Sequence, residues 1–395
     1  MEIVGVVGAG TMGAGIAQLA LEAGHEVVLH DVDEAAIAGG ISRIREGLVR
    51  RAAKLDLDPD SLDDWVDGRL AGLRESPTLD GVAAQADVVI EAALEDLELK
   101  RTIFRALDSG AAADIILATN TSALSVGAIA EATTRPERVV GLHFFNPAPV
   151  MPLVEVVAPP GADEAVVQRV TALVASWDKT PVRCADSPGF IVNRVNRPFT
   201  LEALAMLGAD EAGVAPIDAA LRGAGFPMGP FELMDLIGID INLAAAHGVW
   251  AGLGRPERLH PSPIQERLLA EGRLGRKTQR GFYRYEAGSA TPEPEFEFEG
   301  TLGPAAIADR ITLAIVNEAW YALGDDVATA ADIDLALRLG AAHPIGPFER
   351  TEGLGGPAAV TSALEARSRH GARFVAAPAL AAAAGEGSWS RNPVG

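Results

Sequence analysis

A glycine-rich turn near the start of the chain could bind a cofactor. It follows the apolar run EIVGVV, opens the helical pattern AGIAQLALEAG, and consists of Gly8, Ala9, Gly10, Thr11, Met12 and Gly13. In such a GxGxxG turn the first glycine permits a tight bend, the second lets the backbone approach a pyrophosphate, and the third lets helix and strand pack closely. The following helix N-terminus offers oriented N–H groups to a phosphate. The pattern therefore predicts a dinucleotide site.

An acidic residue indicates which dinucleotide this would be. The run EVVLHD ends at Asp31, close to the spacing of about 20 residues at which a carboxylate accepts the ribose hydroxyls and repels a 2′-phosphate. We therefore expect NAD as the cofactor and no metal. The turn alone does not separate hydride transfer from mere cofactor sensing.

A histidine and a glutamate in two later strand patterns could provide acid–base chemistry. His143 lies in VVGLHFF and Glu155 in LVEVV. Oxidation of an alcohol requires removal of the hydroxyl proton together with the hydride, and imidazole titrates near neutral pH. A half-buried carboxylate needs a partner, so adjoining strands would let Glu155 orient the imidazole. Taken alone, His143 could be a core histidine and Glu155 an edge carboxylate.

The elements that must position these residues alternate in type through the first half of the chain. Short β-branched runs (EIVGVV, EVVLHD, DVVIEA, DIILATN and VVGLHFF) are separated by longer helical patterns. This alternation predicts an α/β Rossmann-type, doubly wound sheet over residues 1–185. The interval 32–86 is too long for a simple crossover and predicts two charged helices with a turn near Asp58, an excursion expected to bind a ligand.

Helical periodicity replaces the strand pattern after Asp186. We expect two all-α domains, residues 186–285 and 301–395, joined by a Pro-, Gly- and Glu-rich linker at 286–300. FPMGPFE at 226–232 matches HPIGPFE at 343–349, and shorter matches keep the same order. These matches predict an internal duplication of one helical domain.

Charge and composition exclude other classes of protein. The chain has 54 acidic and 33 basic residues and a net charge of −21, which repels the nucleic-acid backbone. A single cysteine, Cys184, cannot form an intrachain disulfide. The opening MEIVGVVGAG lacks the basic region of a signal peptide, and no apolar run approaches the roughly 20 residues of a membrane span. We expect no nucleic-acid or membrane partner and a cytoplasmic location.

Four motifs resemble those of the L-3-hydroxyacyl-CoA dehydrogenases, the family of the 3-hydroxybutyryl-CoA dehydrogenases. They are NTS at 120–122, HFFNP at 143–147, LVEV at 153–156 and DSPGFIVNR at 186–194. The resemblance runs in order from Met1 to about Tyr285, and the second helical segment is similar to members with a duplicated C-terminal domain. It implies helical domains of the 6-phosphogluconate dehydrogenase C-terminal type. It also implies NAD-dependent, reversible oxidation of an L-3-hydroxyacyl-CoA to a 3-ketoacyl-CoA, as in fatty-acid β-oxidation or short-chain acyl-CoA metabolism.

The resemblance also implies a role for each matching residue. His143 would be the general base and Glu155 its orienting carboxylate, while Ser122 and Asn193 would donate hydrogen bonds to the substrate oxygen. Ser122 could instead cap a helix beginning near Ala123, and Asn193 could make an interdomain hydrogen bond. The implied cofactor contacts are Gly8, Gly10, Thr11, Met12, Gly13, Asp31, Glu95, Lys100, Ser122, Asn146 and Lys277.

Two of these contacts have plainer alternatives. Lys100 and Lys277 could each be a solvated surface charge. Lys277 lies in GRKTQRGFY, where Gln279 replaces the glycine usual in this motif, so the geometry of that loop is open.

A basic face in the 32–86 interval suits the phosphates of CoA. On a helix at about 100° per residue, Arg43, Arg50 and Lys54 fall within about 40° of one another. The resemblance assigns this helix to the CoA nucleotide and matches Lys54 to a family lysine, whereas the serine often found nearby is Gly47 here. An ordinary solvated helix face is the alternative.

The second helical copy lacks the substrate motif, because Asp309 occupies the position of Asn193. We therefore expect one active site per chain. The extra copy would cover the surface through which single-copy relatives pair, giving a monomer with an internal pseudo-dimer, or a homodimer through other faces. Two alternatives remain: a dehydrogenase of a non-CoA hydroxy or sugar acid, and a non-catalytic, crystallin-like NAD-binding protein.

Overall fold

The computed structural model describes residues 2–55, 61–286, 288–386 and 389. Residue contacts divide the chain into two compact units, one ending at Ser187 and the other beginning at Pro188. Among the described residues, no helix has the length and apolar character needed to cross a membrane. The turn predicted near Asp58 lies outside the described residues.

The first unit is a Rossmann-like sheet with helices. Its eight strands run in the order β3-β2-β1-β4-β5-β6-β7-β8, and every neighbouring pair is parallel except β6 and β7. The strands are β1 (Ile3–Val7), β2 (Glu26–His30), β3 (Leu73–Glu75), β4 (Val88–Glu91), β5 (Ile116–Thr119), β6 (Val139–Phe144), β7 (Leu153–Ala158) and β8 (Thr180–Ala185). The helices are α1 (Thr11–Glu22), α2 (Glu34–Ala52), α3 (Leu62–Leu70), α4 (Leu79–Ala83), α5 (Leu97–Gly110), α6 (Val126–Ala130) and α7 (Glu164–Ser176).

The parallel order places the candidate site at one edge of the sheet. Strand β1 pairs in parallel with β4, β4 with β5, and β5 with β6. The carboxyl ends of these strands and the loops that follow therefore meet along the same edge of the sheet. Their interiors are almost continuous apolar runs, as expected for a sheet covered on both faces. The glycine turn, the loop after β4, the Ser122 loop and the HFFNP segment therefore share one edge.

The 32–86 interval contains more than the two predicted helices. Besides α2 and α3 it holds β3 and α4. Strand β3 has only three residues and pairs with β2 alone at the sheet edge. A segment this short and exposed shows no alternating pattern, which explains why the sequence did not reveal it.

The second unit contains both helical segments. The first has α8 (Val192–Val195), α9 (Arg197–Gly208), α10 (Val214–Gly223), α11 (Pro230–Ile237), α12 (Ile239–Gly252) and α13 (Pro263–Ala270), then strands β9 (Tyr283–Glu286) and β10 (Ser289–Pro292). The second has α14 (Pro304–Gly324), α15 (Ala330–Gly340), α16 (Pro347–Gly353), α17 (Pro357–Glu365) and α18 (Pro378–Glu386).

The predicted linker at 286–300 is ordered in its described part. Strands β9 and β10 form an antiparallel hairpin. The buried Glu293 accepts a hydrogen bond from Arg280 Nη2 at 2.8 Å, and Phe296 is buried after it. Arginines of the preceding segment therefore satisfy Glu293, an arrangement that composition does not show.

Reciprocal ion pairs join the two helical segments. Glu202 on α9 accepts from Arg310 Nε at 2.5 Å and from Arg373. Glu318 on α14 accepts from Arg194 Nε at 3.1 Å and from Arg258 Nε at 2.8 Å. Each buried carboxylate thus receives two arginines from the other segment.

The two segments also share a capping arrangement. The buried Asp218 accepts from the N–H of Phe231 at 3.0 Å at the start of α11. Asp334 accepts from the N–H of Phe348 at 2.7 Å at the start of α16. In both cases a carboxylate satisfies N–H groups at a helix N-terminus that would otherwise lack intrahelical partners.

Candidate active site

The glycine turn between β1 and α1 fits a pyrophosphate. Gly8 has φ +100°, and a Cβ on it would lie 2.6 Å from the carbonyl oxygen of Ala92. A Cβ on Gly13 would lie 1.7 Å from the carbonyl oxygen of Gly8, whereas a Cβ on Gly10 would point into open space. No side chain among the described residues caps α1 at Gly10. The turn thus leaves a cradle and a helix N-terminus facing the same edge.

Asp31 is held directly beside this turn. Its Oδ2 accepts from the N–H of Ala9 at 2.6 Å and its Oδ1 from the N–H of Val32 at 2.7 Å. These bonds fix a partly exposed carboxylate next to the glycines. That position suits contact with a ribose.

Arg43 also lies at the glycine turn. Its Nη1 is 3.4 Å from the carbonyl oxygen of Ala9. Arg43 is predicted to share the CoA face with Arg50 and Lys54, because helical periodicity gives direction around the axis and not position along it. Arg43 lies near the middle of α2, whereas Arg50 lies in its last turn, about two helical turns further along.

Arg50 and Lys54 are exposed at the far end of α2 and just beyond it. Nη1 of Arg50 lies 3.8 Å from Oε2 of Glu46. A Cβ on Gly47 would lie 1.9 Å from Oε1 of Gln18, so a serine at this position would require the Gln18 side chain to move.

His143 and Glu155 face each other on the antiparallel pair β6 and β7. Nδ1 of His143 lies 2.6 Å from Oε2 of Glu155, and both side chains are buried. A carboxylate beside Nδ1 favours the tautomer with the proton on that nitrogen. On the other side of the ring, Nε2 lies 3.1 Å from Oγ of the exposed Ser122. Glu155 therefore orients the ring through Nδ1, while Nε2 faces Ser122 on the other side.

Glu95 organises the loop that carries Ser122. Its Oε1 accepts from Thr121 Oγ1 at 2.6 Å, from the N–H of Ser122 at 2.9 Å and from the N–H of Ala123 at 3.1 Å. Ser122 does not cap a helix, because α6 begins only at Val126 with Ser125 as its cap. The alternative interpretation of Ser122 as a helix cap was wrong.

Lys100 is neither solvated nor at the surface. Its side chain has no exposed area, and Nζ lies 2.7 Å from Oε1 of Glu91 and 3.5 Å from Oε2 of Glu95. Lys100 therefore contacts the candidate site through Glu95, the more exposed of its two carboxylate partners. Sequence reasoning missed Glu91, although an acid at the end of the apolar run DVVIEA carries the same signal as Glu155 in LVEVV.

The remaining candidate residues are placed as follows. Asn146 is exposed just after β6. In the second unit, Asn193 lies on α8, and its carbonyl oxygen accepts from Arg197 Nη2 at 3.2 Å. Nζ of Lys277 lies 2.5 and 2.6 Å from the two carboxylate oxygens of Asp240. Gln279 adopts φ +59°, the left-handed conformation that a glycine would adopt, so this loop keeps its turn without the glycine.

The described residues hold no cluster of three or more His, Cys, Asp or Glu side chains arranged to bind a metal ion. The site is built from a glycine turn, a histidine–carboxylate pair and a serine loop at one sheet edge. Such a set can bind a dinucleotide and exchange a proton with a substrate hydroxyl.

Comparison with known proteins identifies the family. The model of the 3-hydroxyacyl-CoA dehydrogenase NAD binding domain matches residues 3–187. The model of the C-terminal domain of the same enzymes matches residues 189–285 and 307–391. The chain belongs to the 3-hydroxyacyl-CoA dehydrogenase family.

Individual relatives agree with this family assignment. The chain is 43% identical over 313 residues to 3-hydroxyadipyl-CoA dehydrogenase of Escherichia coli K12, a match that spans 79% of this chain and 63% of that protein. It is 42% identical over 286 residues to the mitochondrial hydroxyacyl-coenzyme A dehydrogenase of Rattus norvegicus, spanning 72% of this chain and 91% of that one. The crystal structure of 3-hydroxybutyryl-CoA dehydrogenase from E. coli K12 superposes with a TM-score of 0.87 at 34% identity, covering 97% of this chain and 98% of that one.

Proposed function

We propose that this chain catalyses the NAD-dependent, reversible oxidation of an L-3-hydroxyacyl-CoA to the 3-ketoacyl-CoA. The observation that carries the proposal is the array Glu155–His143–Ser122, in which a buried carboxylate orients an imidazole toward a serine hydroxyl. A merely structural histidine would not need its second ring nitrogen at an exposed loop.

His143 is the general base in this proposal. In the oxidation direction Nε2 accepts the proton of the substrate hydroxyl, and Glu155 stabilises the imidazolium that forms. Ser122 holds the substrate oxygen at Nε2, and Asn193 is proposed as a second donor to that oxygen. Bound NAD supplies the hydride acceptor. In the reverse direction His143 returns its proton to the ketone oxygen.

The glycine turn, Asp31, Glu95 and Asn146 are the proposed cofactor contacts of the first unit. The open cradle at Gly10 and the uncapped start of α1 support this assignment. Lys277 of the second unit is a proposed contact on the basis of its motif, and Lys100 would support the cofactor only through Glu95. Thr11, Met12 and Gly13 complete the turn.

Arg50 and Lys54 are the proposed contacts to the CoA phosphates. Their exposed position at the end of α2 supports this, while Arg43 is better assigned to the dinucleotide side, next to Ala9. An enzyme acting on free hydroxy acids would not need these two cations.

We also propose that the two helical segments arose by duplication and form an internal pseudo-dimer. The C-terminal family model matches both segments, and the pairs of Glu202 and Glu318 with arginines of the opposite segment have the reciprocity of a two-fold interface. The proposed domain boundaries are those predicted from the sequence, with the β9–β10 hairpin continuing the first segment as far as Pro292. A cytoplasmic location agrees with the single, buried Cys184.

The experiment is NADH oxidation, followed by absorbance, with acetoacetyl-CoA, with longer 3-ketoacyl-CoA thioesters and with free acetoacetate. We expect turnover of the thioesters and little of the free acid. Absence of turnover with every thioester would overturn the proposal. Turnover of acetoacetate as fast as its thioester would favour the non-CoA alternative.

A paired variant tests the CoA contacts. Replacing both cations, Arg50→Glu with Lys54→Glu, should raise KM for acetoacetyl-CoA by about tenfold or more while leaving KM for NADH unchanged, since two phosphate-facing charges are reversed. The control reverses two exposed arginines elsewhere in the same unit, Arg105→Glu with Arg183→Glu, and should change neither constant. Equal effects from both pairs would remove the basic face from the mechanism.

A further inference from the structure

Glu91 is a fully buried carboxylate that the proposed mechanism does not use. It ends β4, and its Oε1 accepts from the N–H of Ala93 at 2.6 Å and from Lys100 Nζ at 2.7 Å. Its Oε2 accepts from Thr119 Oγ1 at 2.7 Å. Neither Glu91 nor Lys100 has exposed side-chain area. Both charges have therefore been removed entirely from water.

Stability alone explains this pair poorly. Desolvation of two charges costs several kcal/mol per ion, and well-packed apolar residues of the same volume are often as stable or more so. The ion pair is better explained by what its two charges hold in place.

The Glu91–Lys100 pair also contacts Glu95. Nζ of Lys100 is 3.5 Å from Oε2 of Glu95, whose side chain is 41% exposed. The other oxygen of Glu95 accepts the three donors of the Ser122 loop. Since Lys100 lies between two carboxylates, Glu91 fixes the ammonium and the ammonium fixes Glu95.

The main chain of Glu91 anchors the same loop at its start. Its carbonyl oxygen accepts from the N–H of Asn120 at 2.7 Å. The side-chain oxygen of Asn120 in turn accepts from the N–H of Phe144, the residue after His143, at 2.8 Å. The carbonyl oxygen of Glu91 thus anchors the start of the Ser122 loop at Asn120. Its side chain contacts the rest of that loop through Lys100 and Glu95.

We propose that Glu91 is a positioning residue for the reaction: through Lys100 and Glu95 it holds Ser122 Oγ at hydrogen-bond distance from His143 Nε2. This inference rests on the proposed function. It assigns to Glu91 an effect on turnover in addition to any effect on folding.

The test variant is Glu91→Gln. The amide oxygen can still accept from the N–H of Ala93, and the amide NH2 can donate to Thr119 Oγ1. The neutral amide no longer fixes the ammonium of Lys100 as a carboxylate does, and the ammonium then draws Glu95 away from the loop. A displacement of about 1 Å at a reacting group costs up to about 100-fold. We expect kcat for acetoacetyl-CoA to fall by about 10- to 100-fold, with the folded state retained by circular dichroism at the assay temperature.

The matched control is Asp108→Asn, at the opposite end of α5. Asp108 is also buried, and it accepts from Thr134 Oγ1 at 2.7 Å and from Arg135 Nε at 2.9 Å. Its loss should lower the melting temperature yet leave kcat within about twofold. If Glu91→Gln does not fold, Thr119→Val is the second variant. It removes one hydrogen bond to Glu91 and leaves the charge of Glu91 intact, so it should lower kcat by a smaller factor.

A double-mutant cycle with Ser122→Ala decides the route of the effect. If Glu91 acts through Ser122, Glu91→Gln should lower kcat by less than about twofold once the hydroxyl is absent. An equal fold-loss of kcat with and without the Ser122 hydroxyl, or an unchanged kcat in Glu91→Gln, would overturn the inference. The proposed function would still stand if the wild-type protein turns over the thioester. An inactive wild type would overturn the proposed function and this inference together.

Discussion

The two units bury carboxylates to the same extent and use them differently. In the first unit Glu155 contacts one imidazole, whose other nitrogen faces an exposed serine. In the second unit Glu202 and Glu318 are each enclosed by two arginines. Imidazole exchanges a proton near neutral pH, whereas guanidinium does not. The type and accessibility of the partner therefore decide whether a buried acid supports chemistry or architecture.

The largest effect should follow from Glu155→Gln. The amide keeps the volume but cannot stabilise an imidazolium, so kcat for acetoacetyl-CoA should fall by about 10²- to 10⁴-fold. The melting temperature should change little by comparison. Steady-state rates and thermal unfolding of the same preparation check both expectations. A kcat within about twofold of wild type would contradict the catalytic role of Glu155 that distinguishes the first unit from the second.

Glu318→Gln should show the opposite signature. The buried Arg194 and the largely buried Arg258 lose their shared carboxylate, although Arg194 keeps its ion pair with Asp325. Removal of one partner from a buried pair costs about 3–5 kcal/mol. The free energy of unfolding should fall by that order, while kcat below the unfolding transition stays near wild type. Glu202→Gln, its reciprocal counterpart, should behave alike, and the exposed Glu164→Gln serves as a control without measurable effect. A turnover defect at normal stability would contradict the architectural role.

A smaller effect on kcat should distinguish the two helical segments from each other. Asn193→Ala should lower kcat by about 10²- to 10³-fold, the order expected for loss of one hydrogen-bond donor to a developing negative charge. Asp309→Ala, at the corresponding position of the second segment, should leave kcat unchanged. Parallel assays with acetoacetyl-CoA measure both, and equal losses would mean that the second segment also contributes to turnover.

The last prediction concerns the dependence of stability on pH. Burial lowers the pKa of His343 to about 3, and its Nε2 lies 2.8 Å from Oδ1 of Asn196. Because the unfolded histidine binds a proton below its ordinary pKa of about 6.5, its contribution to stability is complete above that pH. It is lost progressively as the pH falls toward 3. His343→Gln should flatten this part of the stability curve in denaturant titrations from neutral to acidic pH, and an unchanged curve would rule out the contribution.

The sequence predicted most of the sheet and the chemical groups of the candidate site. Strands β1, β2, β4, β5 and β6 follow directly from β-branched runs, and the partnering of His143 with Glu155 was expected from the cost of an unpaired carboxylate in a strand. The short edge strand β3 lacks a pattern. The β9–β10 hairpin is followed by contacts such as that of Arg280 with Glu293, which form only in the fold.

Interactions at a distance in sequence account for the rest of the site. The burial of Lys100 depends on Glu91 and Glu95 converging on it, and the placement of Arg43 depends on where α2 lies along the sheet edge. Periodicity and spacing contain neither kind of information.

The most direct measurement compares His143→Gln with wild type in two assays on one preparation, NADH binding by fluorescence and acetoacetyl-CoA reduction by absorbance. Proton transfer through the imidazole predicts unchanged NADH affinity with turnover lowered by about 10²-fold or more. Turnover at the wild-type rate in that variant would contradict the account.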